Sequence, residues 1–156
     1  MFEYRISKYN PKYRINGKYT RNEWSSVADI GKEFCDGILS EQECCDTIDR
    51  YCECVKDVLQ SIGVKHLTIS DLEKYEKHIK WKNGQIISLD EVASVVRECL
   101  WENCWCRLSG EAAFIHFGYE LYMYLGCTLQ TDQFSLICDR HQMFYEIRNS
   151  PYKNEE

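Results

Sequence analysis

The sequence predicts a single α+β domain in which a mainly antiparallel sheet packs with two or three helices. Segments with strand-like alternation and segments with helical periodicity follow one another without a regular βαβ order. The chain has 156 residues, a length typical of one domain, and no Gly-, Ser- or Pro-rich linker divides residues 1–156. Because 44% of the residues are hydrophobic and 13% are aromatic, the chain can fill a core, and disorder is disfavoured.

The first 37 residues predict one strand followed by a loop. Residues 2–9 alternate in polarity, which is typical of a strand with one apolar face. Asn10-Pro11 ends this strand and Asn16-Gly17 marks a turn. Residues 22–37 predict a loop with a short helical turn.

A long amphipathic helix is predicted over about residues 41–62. Ser40 and Glu43 form a capping box, in which each side chain satisfies a backbone amide at the start of the helix. Apolar side chains then recur every three to four residues until Gly63, a residue type that ends helices. The opposite face carries Glu43 and an acidic helix stripe, which consists of Asp46, Asp49, Glu53 and Asp57.

The next segment predicts a strand over 64–70, followed by an ambiguous stretch over 71–87. The spacing of Ser70 and Glu73 is a second capping-box match, which favours a short helix. The pair Asn83-Gly84, flanked by apolar residues on both sides, favours a hairpin. We favour the hairpin.

The remaining residues predict two helices and two strands. A third capping box, from Ser88 to Glu91, begins a helix that continues to about residue 106, before Ser109-Gly110. Residues 112–126 are the most strand-like segment of the chain and predict one continuous strand. The chain then ends with a helix and a strand, predicted over 131–141 and 143–148.

Charge and hydropathy exclude several classes of function. Twenty-five acidic residues against 19 basic ones give a net charge of −6, so nucleic acid is not an expected partner. No apolar run approaches the roughly 20 residues of a membrane span. The N-terminus also lacks the apolar core of a secretory signal. We therefore expect a soluble cytoplasmic protein with no membrane partner.

Ten cysteines are the most unusual feature of the composition. Without an export signal, disulfides have no oxidising compartment in which to form. The C-x-C pairs at Cys52/Cys54 and Cys104/Cys106 lack the usual spacing of zinc ligands, and residues two apart on one helix point in roughly opposite directions. We therefore expect free thiols that fill the core, with no metal and no cofactor, and Cys54 as the thiol most exposed to oxidation.

One pair of side chains could support acid–base chemistry. His116 and Glu120 would share one side of the strand predicted over 112–126, with Tyr122 beside them. The alternative is that His116 bonds within an aromatic layer and Glu120 meets Arg97 or solvent. The sequence has no phosphate-binding loop, dinucleotide fingerprint, metalloprotease helix or nucleophile elbow, so we expect no enzyme.

Five segments spread along the chain resemble blocks of a known family. They are YRISKYNPKYR (4–14), NEWSSVADIGK (22–32), LWENCWCRL (100–108), FIHFGYELYMYLGC (114–127) and FYEIRNSPY (144–152). Together they resemble small bacterial proteins that accompany polymorphic toxins. The resemblance implies an immunity protein of contact-dependent growth inhibition systems, which binds a cognate toxin, the C-terminal domain of a large secreted protein.

The charge pattern suggests where such a partner would bind. If the toxin is a basic nuclease, acidic residues would speed association and select the partner. We predict that the helix stripe binds the partner, with Glu23 and Trp24 as a second patch; an ordinary solvated helix face is the alternative. The alternative functions are a small enzyme that uses His116 and Glu120, and a zinc-stabilised interaction module.

Overall fold

The strands and helices combine into an α+β fold, as the sequence predicts. The computed structural model describes residues 1–153, so the last three residues of the domain predicted over 1–156 lie outside the described part. The helices are α1 (Glu41–Ser61), α2 (Leu89–Leu100) and α3 (Thr131–Arg140). The strands are β1 (Phe2–Ser7), β2 (Arg14–Ile15), β3 (Lys18–Tyr19), β4 (Glu33–Phe34), β5 (Gly37–Ile38), β6 (His66–Lys74), β7 (Ile86–Ser88), β8 (Cys104–Ser109), β9 (Ala113–Phe117), β10 (Met123–Cys127) and β11 (Phe144–Ile147).

Seven of these strands form one antiparallel sheet in the order β11-β1-β10-β9-β8-β6-β7. The pairs β2/β3 and β4/β5 are separate two-stranded ribbons. The loop predicted over 22–37 contains a short 3₁₀ turn at Val27–Asp29, and its last residues enter the β4/β5 ribbon, which ends at Ile38. No helix within residues 1–153 has the length and apolar character needed to cross a membrane.

The three helices cover one face of the sheet and bury its apolar side chains in a common core. Ile69 of β6 and Ile115 of β9 are fully buried, together with the apolar positions of α1. At the other end of the sheet, the ring of Tyr4 stacks on Phe134 of α3 with 3.8 Å between centroids. Removal of this apolar surface from water is the main stabilising contribution.

Helix α1 closely matches its predicted range, but one of its cysteines is not where the sequence predicts. The Ser40 side chain accepts the Glu43 amide at 3.1 Å, as the N-cap prediction requires. Cys52 and Cys54 are both fully buried, because α1 packs against α2 and also against α3. The prediction that Cys54 is exposed is therefore wrong; its sulfur lies 4.0 Å from that of Cys138 on α3.

The helix predicted to reach residue 106 is shorter than expected. Its capping box at Ser88 is confirmed, but α2 ends at Leu100, and Glu102 turns the chain with a left-handed φ of 63°. Residues 104–109 form β8 instead, with alternate side chains buried in the core: Cys104, Cys106 and Leu108. Two-residue spacing places side chains on the same face of a strand, whereas it separates them on a helix.

Residues 112–126 form a hairpin and not one strand. β9 and β10 pair in antiparallel register, with His116 opposite Tyr124. Between them the chain reverses at a turn over residues 119–122, in which the Tyr122 amide donates to the Tyr119 carbonyl at 3.1 Å.

Strand β6 extends further than predicted. Ser70 and Glu73 lie within it, so the short helix considered as the alternative for this segment does not form. The hairpin predicted about Asn83-Gly84 is wrong: residues 75–85 contain no strand, and β7 pairs instead with residues 66–68 of β6. Asn83-Gly84 lies in the connecting segment, where Gly84 has a φ of +80°.

Candidate binding cleft

A cleft of about 470 Å³ opens at the end of the sheet where β8 begins and β9 ends. Its apolar and thiol lining comes from Cys99, Cys104, Phe117 and Leu121, all of which are buried. Its walls come from the end of β6, the C-terminus of α2, the β9–β10 turn and Tyr152 near the C-terminus. Segments that are distant in sequence therefore meet here.

Among residues 1–153, three carboxylates line this cleft and no basic side chain does so. They belong to Glu73, Glu102 and Glu120, which are all exposed. None of the three takes part in an ion pair within residues 1–153. Their hydrogen-bond partners are neutral: Tyr75 donates to Glu73, and Ser26 donates to Glu102 at 3.0 Å. We call this feature the acidic cleft.

Exposed aromatic rings stand at the mouth of the acidic cleft. Tyr119 is 85% exposed and Tyr75 is 58% exposed, both high values for large aromatic side chains. The hydrogen bond to Glu73 raises the pKa of Tyr75 to about 12, so this hydroxyl stays protonated. Trp105 is half-buried beside them, and its indole N–H donates to the Phe117 carbonyl at 3.0 Å.

The turn that carries Tyr119 and Glu120 adopts an unfavourable backbone conformation. Glu120 and Leu121 have φ values of 58° and 64°, and positive φ at both central residues is typical of type I′ turns, which favour Asn and Gly. Residues other than these incur a steric cost of about 1–2 kcal/mol each in this region. Two tyrosine hydroxyls hold the turn in place: Tyr9 donates to the Glu120 carbonyl at 2.7 Å, and Tyr51 donates to the Leu121 carbonyl at 2.8 Å.

Both of these hydroxyls stay protonated because burial raises the pKa of Tyr9 and of Tyr51 well above the ordinary value. Tyr51 is fully buried, and its oxygen also accepts the amide of Lys8 at 2.9 Å. The hydrogen bonds from Tyr9 and Tyr51 therefore fix the backbone of the turn, while the Tyr119 and Glu120 side chains remain in solvent.

The structure places the predicted helix stripe on the outer side of α1. Asp46, Asp49 and Glu53 are exposed and Asp57 is partly exposed. Two of the four carboxylates are paired within the chain: Asp49 with Arg97 at 2.9 Å, and Asp57 with Arg140 at 2.8 Å and His141 at 2.9 Å. Asp46 accepts a hydrogen bond from the Gln42 amide.

The second predicted patch surrounds a buried lysine. The ammonium of Lys8 lies 3.3 Å from the Glu23 carboxylate and 4.5 Å from the centre of the Trp24 ring. Burial lowers the pKa of Lys8, and the negative charge of Glu23 opposes this effect. Glu23 also lies 3.6 Å from Arg21, and Trp24 is only 5% exposed. No hydrogen bond or ion pair in the described chain links this patch to the helix stripe.

His116 and Glu120 do not form a hydrogen-bonded pair. His116 is buried on the face of the sheet opposite the helices, where its Nδ1 lies 2.7 Å from the Ser150 hydroxyl and its ring stacks on Phe114. Burial, with the nearby charge of Arg107, lowers the pKa of His116 to about 4, so the ring is neutral at pH 7. Tyr122, predicted beside the pair, accepts a hydrogen bond from Arg14 at 2.6 Å.

All ten cysteines are free, and three of their thiols meet beneath the acidic cleft. The Cys99 sulfur lies 3.6 Å from that of Cys104 and 3.8 Å from that of Cys106. Within residues 1–153, no group of three or more His, Cys, Asp or Glu side chains is arranged to hold a metal ion.

The chain matches no family model, no curated protein and no solved structure. Its functional interpretation therefore depends on the chemistry of its surfaces.

Sequence reasoning missed most of the acidic cleft. The sequence points to Glu120 only as a partner of His116 and to Glu73 only as part of a capping-box match, and Glu102 and Tyr119 carry no local signal. The apolar alternation that continues through residues 112–126 hides the turn, because Leu121 is buried like a strand residue.

Proposed function

We propose that this protein is an immunity protein that binds a basic toxin domain and blocks its active or target-binding surface. We further propose that the acidic cleft receives a lysine or arginine side chain of that domain. The observation that carries this proposal is the set of three carboxylates that line one cleft without a neutralising cation within residues 1–153.

Charge complementarity supports a basic partner. Carboxylates that are already paired within the chain gain little from a second cation, whereas Glu73, Glu102 and Glu120 remain available. Such charges steer a basic domain toward the cleft and disfavour acidic competitors. The overall charge of −6 acts in the same direction at longer range.

The aromatic rings support a protein partner in particular. Tyrosine and tryptophan are enriched at the energetic centres of protein interfaces, and their faces attract the cationic side chains that carboxylates also attract. Tyr75, Tyr119 and Trp105 offer such faces beside the carboxylates. Because the turn of Tyr119 is already fixed, binding would lose little conformational entropy there.

The helix stripe and the Glu23/Trp24 patch stay predictions, and we rank them below the acidic cleft. Asp49 and Asp57 would have to exchange existing ion pairs for new ones. Glu23 would have to leave Lys8, a buried lysine that forms no ion pair with another carboxylate within residues 1–153.

The experiment is co-expression with the toxin domain encoded by the adjacent upstream gene. We expect the two proteins to co-purify as a complex, and cells that express the toxin domain to survive only with this protein. Association should slow steeply as ionic strength rises, because mobile ions screen the steering charges. Absence of both complex and protection would refute the immunity function.

We also propose the cytoplasm as the place of action. Ten free thiols suit a reducing compartment, where they stay reduced. Fractionation of the producing cells would test this, and recovery of the protein with disulfides in an oxidising compartment would contradict it.

A further inference from the structure

The thiols of Cys99, Cys104 and Cys106 form a cluster at the junction of α2 and β8. Cys104 and Cys106 are two residues apart on a strand, so both face the helix that carries Cys99. The sulfur of Cys99 is the centre of the cluster, at 3.6 Å from Cys104 and 3.8 Å from Cys106. A disulfide holds its two sulfurs about 2 Å apart, so both pairs of thiols are near neighbours that could form one.

Two members of this cluster can be reached from solvent through the acidic cleft. Cys99 and Cys104 both line it, with 9% and 2% of their surfaces exposed, whereas Cys106 is fully buried and does not line it. The chain contains a matched pair for comparison. Cys54 and Cys138 lie 4.0 Å apart, but both are fully buried and neither lines a cleft.

The two thiols that line the cleft have unequal acidities. The hydrogen bond between the two thiols lowers the pKa of Cys104 and raises the pKa of Cys99, and the contact with Cys106 and burial raise the pKa of Cys99 further. The thiolate form is the nucleophile in disulfide exchange, so Cys104 would attack first.

We propose that Cys104 and Cys99 form a reversible dithiol–disulfide site, which is oxidised by small neutral or cationic disulfides that enter the acidic cleft. The Cys104 thiol loses its proton, and its sulfur attacks one sulfur of the reagent. The S–S bond of the reagent breaks, and its other half leaves as a thiolate that takes up the proton.

The second step closes the protein disulfide. The Cys99 thiol loses its proton, and its sulfur attacks the Cys104 sulfur of the mixed disulfide, so the second half of the reagent leaves as a thiol. Two protein thiols are oxidised to one disulfide, and one small disulfide is reduced to two thiols. The three carboxylates at the cleft should favour a cationic reagent over an anionic one.

The test uses the folded, fully reduced protein and three reagents of different charge: cystamine, hydroxyethyl disulfide and oxidised glutathione. After an acid quench, intact mass and peptide mapping locate the products. We expect the mass to fall by two hydrogen atoms, a cross-linked peptide that joins Cys99 to Cys104, and reversal by dithiothreitol. Cystamine should react fastest and oxidised glutathione slowest.

Two variants complete the test. Cys104→Ser should lose the cross-link, whereas Cys54→Ser should form it as the wild type does. If Cys104→Ser does not fold, the presence or absence of the Cys99–Cys104 cross-link in the wild-type peptide map tests the proposal by itself. A reagent adduct confined to the exposed Cys35, a first cross-link between Cys54 and Cys138, or an equal rate for all three reagents would overturn the proposal. None of these outcomes depends on a toxin partner.

Discussion

Replacement of Glu120 by asparagine should make the protein more stable and, at the same time, a weaker binder. Glu120 occupies a left-handed backbone conformation with a φ of 58°, which asparagine tolerates better than glutamate. Its carboxylate also lines the acidic cleft without an ion-pair partner within residues 1–153. The substitution should therefore raise the free energy of unfolding and lower the affinity for a basic partner.

The magnitudes follow from the geometry of the turn. Relief of part of the backbone cost should raise the free energy of unfolding by about 0.5–1 kcal/mol. For a chain of this size, that gain corresponds to a rise in melting temperature of about 1–4 °C. Loss of one exposed charge should weaken binding to a basic partner about twofold to fivefold.

The assay compares Glu120→Asn with Glu120→Gln by thermal unfolding and by calorimetric titration with the toxin domain. Glutamine removes the charge but has no preference for positive φ, so this control should lose affinity without gaining stability. A melting temperature of Glu120→Asn at or below that of Glu120→Gln would refute the strain argument. Affinity equal to the wild type in both variants would refute the role of Glu120 in the cleft.

Three further predictions concern stability. Burial lowers the pKa of His116 from 6.5 to about 4, so between these pH values the unfolded chain binds a proton that the folded chain does not. The free energy of unfolding should therefore fall by roughly 3 kcal/mol as the pH drops through this window, and His116→Asn, measured by urea titration at each pH, should lose that part of the slope. Tyr51→Phe removes the hydroxyl that donates to Leu121 and accepts a backbone amide, so it should cost about 2–4 kcal/mol in chemical denaturation; a cost below about 0.5 kcal/mol would contradict the buried hydrogen bonds. Gly126→Ala would bring a Cβ into the ring of Phe114 on the neighbouring strand, so a loss of about 1–2 kcal/mol is expected in the same assay, and unchanged stability would mean that the ring moves away freely.

The sequence predicts the elements whose signals are local. Helix α1 has a capping residue at Ser40, an apolar face at helical spacing and a glycine after its end, and all three features lie within one segment of the chain. The capping box at Ser88 is equally local and is confirmed.

The end of α2 could not be located in this way, because the decisive residue has no distinctive type. Glu102 takes the left-handed conformation that glycine or asparagine usually marks. The apolar residues on either side continue a helical spacing, so helix and strand patterns overlap over residues 100–106. Residues 104–106 form a strand because only a strand places both Cys104 and Cys106 in the core.

The acidic cleft could not be predicted from local sequence patterns at all. Glu73, Glu102 and Glu120 belong to three separate segments, and only the pairing of β6 with β8 and of β8 with β9 brings them to one place. The same tertiary arrangement decides which acidic residues remain unpaired. From the sequence, Asp49 and Asp57 look as available as Glu120, but Arg97 and Arg140 neutralise them.

The most direct test of the acidic cleft as the binding site compares two variants that remove the same amount of charge. One carries Glu73→Gln, Glu102→Gln and Glu120→Gln in the cleft, and the other carries Asp46→Asn, Asp49→Asn and Glu53→Gln on α1. We predict that the cleft variant loses at least tenfold in affinity for the toxin domain and protects cells poorly, whereas the α1 variant stays within about twofold of the wild type. Equal losses in both variants, or a larger loss in the α1 variant, would contradict the cleft as the binding site.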